Sequence, residues 1–360
     1  MDDKFWKGKK VLVTGHTGFK GSWISIWLKK LGAEVLGVSL EPKNELDNFC
    51  VSKLDSKIKN IYLDIRDFSR LDVVFKEFKP DIIFHLAAQS LVGVAYEQPK
   101  LTFETNALGT LNVLESIRNS DSVKAGVLIT SDKCYKNIEQ IWGYKENDTL
   151  GGDDPYSASK GCAEFIINSY IKNYFIQDKK LICSARAGNV IGGGDWSVNR
   201  IVPDCFRSLF SEKPIIIRNF NSTRPWQYVL EPLRGYIMLG EKLFQGSKEF
   251  SGSWNFGPSI ERAYTVSDVA NEIIKNWGDG NIAIEENKSF HESCLLQLDS
   301  TKARIELGWK PILTFEESIH FTTKWYKFLY EDIKRDMHDF CVKQIEDYQE
   351  IESNRTSEVR

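Results

Sequence analysis

Two short stretches of this sequence carry side chains whose types and spacing could perform chemistry. In the first, Tyr156 and Lys160 are four residues apart, so on a helix they lie on the same face. There the lysine ammonium can lower the pKa of the phenol from about 10 towards neutral pH. Such a pair provides a base that takes the proton from an alcohol while the alcohol carbon loses hydride.

The second stretch is Ser131-Asp132-Lys133, which directly follows an apolar run. An acid and an amine next to the serine are more than the oxidation of an alcohol needs. They therefore indicate a second chemical step. The alternative interpretation is that Asp132 and Lys133 form a solvated pair in a loop.

Composition places few limits on the class of protein. The 360 residues include 47 basic and 50 acidic side chains, a net charge of -3 that gives no reason to expect a nucleic acid or polyanionic partner. The seven cysteines show no paired CxxC spacing and indicate reduced thiols. With no signal peptide and no apolar run near the ~20 residues that span a bilayer, we expect a soluble cytoplasmic protein. The five histidines are scattered, so we predict no metal site.

The first half of the chain alternates short apolar runs with amphipathic segments, a pattern typical of βαβ units around a parallel sheet. It predicts strands at 11–14, 35–38, 61–63, 81–85, 126–130 and 181–186, and helices at 105–118 and 156–175. Later elements are shorter and mixed, with strands at 215–217 and 254–256 and helices at 231–244, 300–307 and 316–330. We predict an α/β fold: a Rossmann-type doubly wound parallel sheet with a smaller mixed α/β C-terminal substrate-binding lobe.

The chain is predicted to divide into three segments. Residues 1–190 hold a glycine-rich turn at 15–21 together with Tyr156 and Lys160, and are predicted to form a NAD-binding domain that carries the catalytic residues. Residues 191–331 would mainly form the smaller lobe, which resemblance to a known family makes the substrate lobe, with some chain returning to the first domain. Residues 332–360 read as a charged C-terminal tail that frays at its end.

A glycine-rich turn, Gly15 to Gly21, lies between the first predicted strand and helix. Gly15 allows the tight turn, Gly18 lets the backbone approach a pyrophosphate, and Gly21 permits close packing of helix on sheet. The helix N-terminus adds N–H groups and positive potential for the anion. The alternative is a purely structural turn, but its position between a strand and a helix favours dinucleotide binding.

The ribose-binding acid expected at the end of the second strand is absent, since Ser39 holds that place and Glu41 follows. No arginine stands there for a 2′-phosphate, so NAD is favoured. Asp64 with Ile65 fits a contact to the adenine edge, although a helix cap accounts equally well for Asp64.

Small residues in Leu86-Ala87-Ala88 would let the backbone lie against the cofactor. His85, just before them, is interpreted as a packed strand residue. Asn106 lies at the start of a predicted helix, where capping competes with a role at the cofactor.

Taken in order along the chain, these motifs resemble the extended short-chain dehydrogenases that act on nucleotide sugars. The resemblance covers about residues 9–311 and is continued by the motifs at 186–192 and 224–229. Within this family, Ser131-Asp132-Lys133, 192–196 and 224–232 are most similar to the CDP-glucose 4,6-dehydratases. Relatives acting on dTDP-glucose or GDP-mannose carry an acidic pair, so Lys133 departs from them.

The resemblance implies a three-step reaction of CDP-glucose with tightly retained NAD. Tyr156 takes the 4-OH proton while hydride leaves C4, the ketone acidifies C5–H, water is lost across C5–C6, and hydride returns to C6. Asp132 fits the acid if it is kept protonated. Lys133 fits the base if its pKa is well below ~10.4.

The resemblance also implies the roles of other residues. Catalysis is assigned to Ser131, Asp132, Lys133, Tyr156 and Lys160. NAD would be bound by Gly15, Thr17, Gly18, Phe19, Gly21, Asp64, Ile65, Leu86, Ala87, Ala88, Asn106, Tyr156 and Lys160. The nucleotide sugar would be bound by Gln89, Ser90, Asn189, Arg200 and Arg224. Trp226 and Tyr228 are interpreted as core aromatics. A homodimer through helices 105–118 and 156–175 and a place in deoxysugar synthesis for a bacterial surface glycan, such as lipopolysaccharide O-antigen, follow by analogy.

Other functions are compatible with parts of this sequence. Dehydratases that invert UDP-N-acetylglucosamine also use an Asp-Lys pair but lack the tyrosine, so Tyr156 argues against them. Epimerases of this fold, and dehydratases of UDP, dTDP or GDP sugars, remain alternatives, although an epimerase needs no acid-base pair for loss of water. A silent NAD-binding scaffold would not need Ser131, Tyr156 and Lys160 together.

Overall fold

The computed structural model describes residues 4–175, 177, 179–259, 264–285 and 296–357. Its strands are β1 (Lys10–Thr14), β2 (Glu34–Ser39), β3 (Lys59–Tyr62), β4 (Ile82–His85), β5 (Ala125–Ile129), β6 (Leu181–Ala187), β7 (Val190–Ile191), β8 (Ile215–Ile217), β9 (Thr223–Arg224), β10 (Gln227–Tyr228), β11 (Gly252–Phe256), β12 (Tyr264–Thr265) and β13 (Ile282–Ile284). Its helices are α1 (Phe19–Lys30), α2 (Asn48–Val51), α3 (Phe68–Phe78), α4 (Val92–Glu97), α5 (Pro99–Phe103), α6 (Gly109–Asn119), α7 (Pro155–Tyr170), α8 (Ile201–Phe210), α9 (Leu230–Phe244), α10 (Val266–Trp277), α11 (Phe315–Glu331) and α12 (His338–Ser357).

Seven strands form one parallel sheet in the order β3-β2-β1-β4-β5-β6-β11. Its central strands are apolar and buried on both faces, as parallel strands covered by helices must be. Thus Val11 of β1 lies between Val35 of β2 and Ile82 of β4. The predicted doubly wound parallel sheet is confirmed.

Helices cover both faces of the sheet. One face packs on α3, α6 and α7, with a core that includes Leu71, Val113 and Ile167. The other packs on α1, α9 and α12, through residues such as Trp23 and Tyr236. The order of connections reverses between β1 and β4, so this fold offers a ligand crevice at the carboxyl ends of those strands.

The smaller lobe is built from three two-stranded pairs, β7 with β10, β9 with β12, and β8 with β13, together with α8, α10 and α11. Aromatic stacking holds it, as between Phe206 of α8 and Tyr326 of α11, whose ring centroids are 3.8 Å apart. The chain after residue 191 also contributes to the main sheet, because β11 pairs with β6.

The segment predicted as a charged tail forms helix α12 instead. Cys341, Ile345 and Tyr348 of this helix are fully buried. Their spacing of four and then three residues makes one apolar stripe, which the many charged neighbours obscure in the sequence. Tyr348 donates a hydrogen bond to Glu231 of α9 at 2.7 Å and so fixes the helix to the main domain.

None of the helices within the described ranges is long and apolar enough to cross a membrane. The cysteines in the described part of the chain are free thiols, and Cys294 lies outside it.

Candidate active site

Tyr156 and Lys160 are positioned by the first turns of α7. Asp154 caps this helix, and its carboxylate accepts hydrogen bonds from the backbone N–H groups of Tyr156 and Ser157 at 2.9 and 3.0 Å. Tyr156 is 8% exposed and Lys160 is 5% exposed. The helix therefore holds both side chains, one turn apart, in a largely water-excluded site.

Ser131 and Asp132 follow the carboxyl end of β5. The Ser131 hydroxyl caps a short helical turn, Asp132–Cys134, by accepting a hydrogen bond from the Lys133 backbone N–H at 3.2 Å. It also donates to the Asp132 carboxylate at 2.9 Å. Asp132 is only 5% exposed and Lys133 is half-buried, so Asp132 is not the solvated loop residue of the alternative interpretation.

Burial changes the acid-base properties of these groups. It raises the pKa of Asp132, although Lys133, Ser131 and Lys20 each oppose that rise by stabilising the carboxylate. Burial also lowers the pKa of Lys160 to about 8, against the opposing influence of Cys134 and Glu164. A carboxylic acid that keeps its proton is what protonation of a leaving hydroxyl requires.

The prediction that the pKa of Tyr156 lies below its ordinary value of about 10 is wrong for this structure. Burial of the phenol raises the pKa of Tyr156 to about 12, and the hydrogen-bonding neighbour Ser131 offsets only part of the rise. The reason is that moving a phenolate out of water costs more than the nearby charges return. Ionisation of Tyr156 therefore needs further positive charge in the site.

Lys20 is a charged group of the site that sequence reasoning missed. It lies in the first turn of α1, half-buried, and interacts electrostatically with Asp132, Lys160 and Arg200. Burial and these cations lower the pKa of Lys20 to about 8. The signal in the sequence was a lysine inside a glycine-rich turn, where the turn itself needs no charge.

A buried ion pair connects the helix and the loop that carry the catalytic residues. Arg186 of β6 lies 2.6 Å from Glu164 of α7, and both side chains are almost fully buried. Glu164 also accepts from the hydroxyl of Thr130, the residue before Ser131. The pair therefore ties α7 to the loop after β5.

The glycine-rich turn has the shape of a dinucleotide cradle. Gly15 has a φ of 77°, and a Cβ there would come within 2.6 Å of the Ala87 backbone nitrogen. A Cβ on Gly21 would come within 2.0 Å of the Gly15 carbonyl oxygen. The turn from β1 to α1 therefore packs tightly against the loop after β4 and against the first turn of α1. Gly18, at the tip of the turn, is exposed. These features fit a pyrophosphate at the N-terminus of α1.

Ser39 at the end of β2 contacts Thr17 of the glycine-rich turn. Their hydroxyls are 2.9 Å apart, and Thr17 also donates to the Leu40 carbonyl at 3.0 Å. Asp64 is engaged by the Arg66 guanidinium at 2.6 Å, which lowers the pKa of Asp64. Neighbouring Ile65 is buried.

Asn106 is not a helix cap, because it lies inside a π-helical turn, Glu104–Leu108, and is 1% exposed. Its side chain bonds the Gln89 backbone N–H and carbonyl at 2.8 and 2.9 Å and so holds the loop after β4. The Gln89 amide is itself bound to Leu91 and Thr102.

His85 is buried between the hydroxyls of Thr14 and Thr110, a packed strand residue as predicted.

Comparison with known proteins decides the family. The family model described as GDP-mannose 4,6 dehydratase matches residues 12–322. The CDP-glucose 4,6-dehydratase of Salmonella typhimurium is 45% identical over 333 residues, which is 91% of this chain and 93% of the relative. The chain belongs to the GDP-mannose 4,6-dehydratase family.

More distant members of this dehydratase family include the GDP-mannose 4,6-dehydratase of Yersinia enterocolitica, 26% identical over 86% of this chain and 91% of the relative. Among solved structures, the UDP-glucose 4-epimerase of Thermus thermophilus in complex with NAD is 25% identical, with a TM-score of 0.73 over 88% of this chain and 98% of that one. The predicted resemblance to nucleotide-sugar dehydratases is confirmed, and the protein is a hydro-lyase by family.

In this dehydratase the smaller lobe brings Arg200 to the crevice. Arg200 lies 3.1 Å from Asp195, and its guanidinium reaches the carbonyl of Ser90 at 3.4 Å. Arg224 lies in β9 and donates to the Thr223 carbonyl at 2.7 Å. The backbone carbonyl of Asn189 accepts from the Gln227 N–H at 3.0 Å.

The two aromatic residues of the 224–229 motif are core residues, as interpreted. Trp226 is 6% exposed and Tyr228 is fully buried.

Among the residues that the structure describes, no cluster of three or more histidine, cysteine or acidic side chains could hold a metal ion.

Proposed function

We propose that the protein dehydrates CDP-glucose to CDP-4-keto-6-deoxyglucose with NAD as its resident cofactor. The observation that carries this proposal is Ser131-Asp132-Lys133 facing Tyr156 and Lys160 in a dehydratase family member that is 45% identical to a CDP-glucose enzyme. Asp132 and Lys133, which follow Ser131, also distinguish this protein from an epimerase, because an epimerase has no water to eliminate.

The crevice between β1 and β4 fits NAD through the close approach at Gly15 and Gly21 and the exposed tip at Gly18. Thr17 and Ser39 would hold the adenosine ribose, with Ile65 and the backbone of 86–88 along the cofactor. When bound, NAD accepts hydride from C4, returns it at C6 and adds positive charge beside Tyr156. Lys160 would bond the nicotinamide ribose.

Oxidation needs Tyr156 to remove the proton of the sugar 4-OH. The raised pKa of Tyr156, about 12, shows how much its ionisation depends on the cations around it. Arg200 is such a cation, and Lys160 lies one helical turn away. The single donor of Ser131 is used by the Asp132 carboxylate in the structure, and it becomes free for the phenolate or the developing ketone once Asp132 is protonated.

Elimination needs an acid and a base on the same sugar. Asp132, whose pKa is raised by burial, protonates the 6-OH so that it leaves as water. Lys133 removes the C5 proton, which the C4 ketone has acidified, and afterwards returns it to C5. The side chain of Lys133 is half-buried, so it can reach the crevice from the turn after Ser131.

Arg200 and Arg224 are proposed to bind the diphosphate, since guanidinium groups pair with phosphate in a bidentate manner. Asn189 would assist them. Arg200 is the best supported of the three because it already bridges Asp195 and the loop that carries Ser90.

The test is to incubate the purified protein with CDP-glucose and, in parallel, with UDP-, dTDP- and GDP-sugars. We expect a 4-keto-6-deoxy product from CDP-glucose and far slower turnover of the others. Turnover of another nucleotide sugar in preference would reassign the substrate. An epimerised sugar that still carries its 6-OH would contradict the dehydratase function.

We further infer a homodimer formed by α6 and α7. Leu108, just before α6, is 51% exposed, and Phe165 of α7 is 61% exposed, so these two elements present large apolar side chains to solvent. Phe165→Glu should then convert the dimer to a monomer, which light scattering would detect as a fall in molar mass.

We place the protein in the cytoplasm, where it would supply a 4-keto-6-deoxy sugar for deoxysugars of a bacterial surface glycan such as O-antigen.

A further inference from the structure

Tyr135 anchors the turn that carries the acid and the base proposed for the elimination. It directly follows the turn Asp132–Cys134, and its side chain is buried. The Tyr135 hydroxyl accepts a hydrogen bond from Arg186 Nη1 at 2.6 Å and donates one to Asn255 Oδ1 at 2.8 Å. The phenol therefore uses its donor and an acceptor position within the protein.

The two partners of this hydroxyl belong to neighbouring strands of the main sheet. Arg186 lies in β6 and Asn255 in β11, where the two residues are paired in register. Asn255 is fully buried, and its amide also donates to the Tyr144 carbonyl at 2.8 Å. The Tyr144 ring stacks on the Tyr135 ring, with centroids 5.2 Å apart. The turn after β5 is thus fastened to two strands that come later in the chain.

The carboxylate of Asp132 has little room to move beside β6. The Ser131 hydroxyl donates to its Oδ1 at 2.9 Å. Its Oδ2 lies against Gly188, just beyond the end of β6, where a Cβ would come within 3.1 Å of this oxygen. The end of β6 therefore holds the turn through Arg186 and also borders the carboxylate, so a shift of the turn would move the acid.

The two halves of the proposed reaction depend on this turn to different degrees. Tyr156 and Lys160, which would serve the oxidation, lie on α7. Asp132 and Lys133, which would serve the elimination, lie on the turn itself. A group that transfers a proton must lie within about 3 Å of its target, and a misplacement of about 1 Å costs roughly 10²-fold in rate. Loosening the turn should therefore slow elimination more than oxidation.

We propose that Tyr135 and Asn255 are positioning residues for the elimination step, an inference that rests on the proposed function. The hydroxyl of Tyr135, held between Arg186 and Asn255, fixes the place of the turn Asp132–Cys134. Both residues act through the acid and the base on that turn, and neither takes a proton from the sugar. The role of Asn255 follows from the pairing of β11 with β6, which joins residues far apart in the sequence.

The experiment is a single turnover of the NAD-loaded protein with CDP-glucose. In a stopped-flow instrument the absorbance of reduced nicotinamide rises with oxidation and falls with hydride return, and quenched samples report the 4-keto-hexose and the 6-deoxy product. Wild type is compared with Tyr135→Phe, which removes only the hydroxyl. The control is Tyr348→Phe, which removes another fully buried hydroxyl, bonded to Glu231 Oε2 at 2.7 Å. Thermal unfolding and NAD titration establish that each variant is folded.

We expect Tyr135→Phe to reduce nicotinamide at the wild-type rate but to form 6-deoxy product about tenfold more slowly, so that reduced cofactor persists with the 4-keto-hexose. Tyr348→Phe should leave both rates unchanged even if its melting temperature falls.

Equal slowing of both steps in Tyr135→Phe, slowing of oxidation alone, or no slowing would overturn the proposal. The same selective slowing in Tyr348→Phe would also overturn it, because a general loss of stability would then explain both. If Tyr135→Phe does not fold, Asn255→Ser, which removes the acceptor, is judged by the same outcomes. Absence of 6-deoxy product from wild type would instead overturn the proposed function.

Discussion

Glu164 of α7 and Arg186 of β6 form a 2.6 Å ion pair whose two side chains are 1% and 2% exposed. Arg186 also donates to the Tyr135 hydroxyl at 2.6 Å, and Tyr135 lies just beyond the Asp132–Cys134 turn. The pair is therefore the buried link between the helix that carries Tyr156 and the loop that carries the acid.

Replacing Glu164 with Gln should lower the free energy of unfolding by about 3–5 kcal/mol, because Arg186 would be left as a buried charge without a counter-ion. Urea denaturation of the purified variant measures this change. The control is Glu34→Gln, which breaks the exposed 2.8 Å pair with Lys59 and should cost at most about 1 kcal/mol. Equal effects of the two substitutions would contradict the structural role of the buried pair.

The sequence predicted the sheet and the catalytic motifs because local signals carry both. Apolar runs and the glycine-rich turn locate β1 and α1, and Tyr156 with Lys160 share a helix face by spacing alone. The boundaries were less accurate. The helix predicted at 105–118 begins as a π-helical turn, Glu104–Leu108. In this turn the buried side chain of Asn106 accepts a hydrogen bond from the Gln89 N–H in the loop after β4.

Other features could not be predicted because they depend on distant contacts. The pKa of Tyr156 is set by burial, which the spacing to Lys160 does not report. The Lys20 side chain lies near Asp132 only because the ends of β1 and β5 meet at one edge of the sheet. Helix α12 gains its stability from α1 and α9, far away in the sequence.

Lys20→Met should move the basic limb of the kcat–pH profile to higher pH. The Lys20 cation lowers the pKa of Asp132, so its removal lets Asp132 stay protonated at higher pH. Lys29→Met, at the exposed end of the same helix, is the matched control and should leave the profile unchanged. A shift to lower pH, or none, would remove Lys20 from the electrostatics of the acid.

Tyr156→Phe should abolish the first oxidation, because the part of the chain that the structure describes offers no second base in the phenol's place. We expect a loss of about 10²–10⁴ in the rate of nicotinamide reduction in a single turnover with CDP-glucose. Tyr174→Phe changes a tyrosine that is 45% exposed at the far end of the same helical segment and should have no effect. Normal reduction by the Tyr156 variant would exclude it as the base.

Ser39→Asp should tighten NAD binding, since a carboxylate can accept hydrogen bonds from both ribose hydroxyls whereas serine accepts fewer. Quenching of tryptophan fluorescence during NAD titration reports the affinity. Glu41→Gln is the companion variant. If Ser39→Asp leaves the affinity unchanged and Glu41→Gln weakens it, Glu41 already serves the ribose.

Lys133 is proposed to remove the C5 proton, the step that distinguishes a dehydratase from an ordinary dehydrogenase of this fold. Lys133→Ala leaves Tyr156 and Lys160 in place, and the variant should therefore still oxidise C4. Lys136→Ala removes an exposed lysine three residues further on and should behave as wild type. Both variants must first be shown to fold and to bind NAD.

The most direct measurement is a single turnover of Lys133→Ala with CDP-glucose in deuterium oxide. We predict that reduced nicotinamide accumulates with the 4-keto-hexose, that no deuterium enters C5 and that no 6-deoxy sugar forms. A folded Lys133→Ala protein that makes 4-keto-6-deoxy sugar at a near-normal rate would contradict the assignment and leave Asp132 or a bound water as the base.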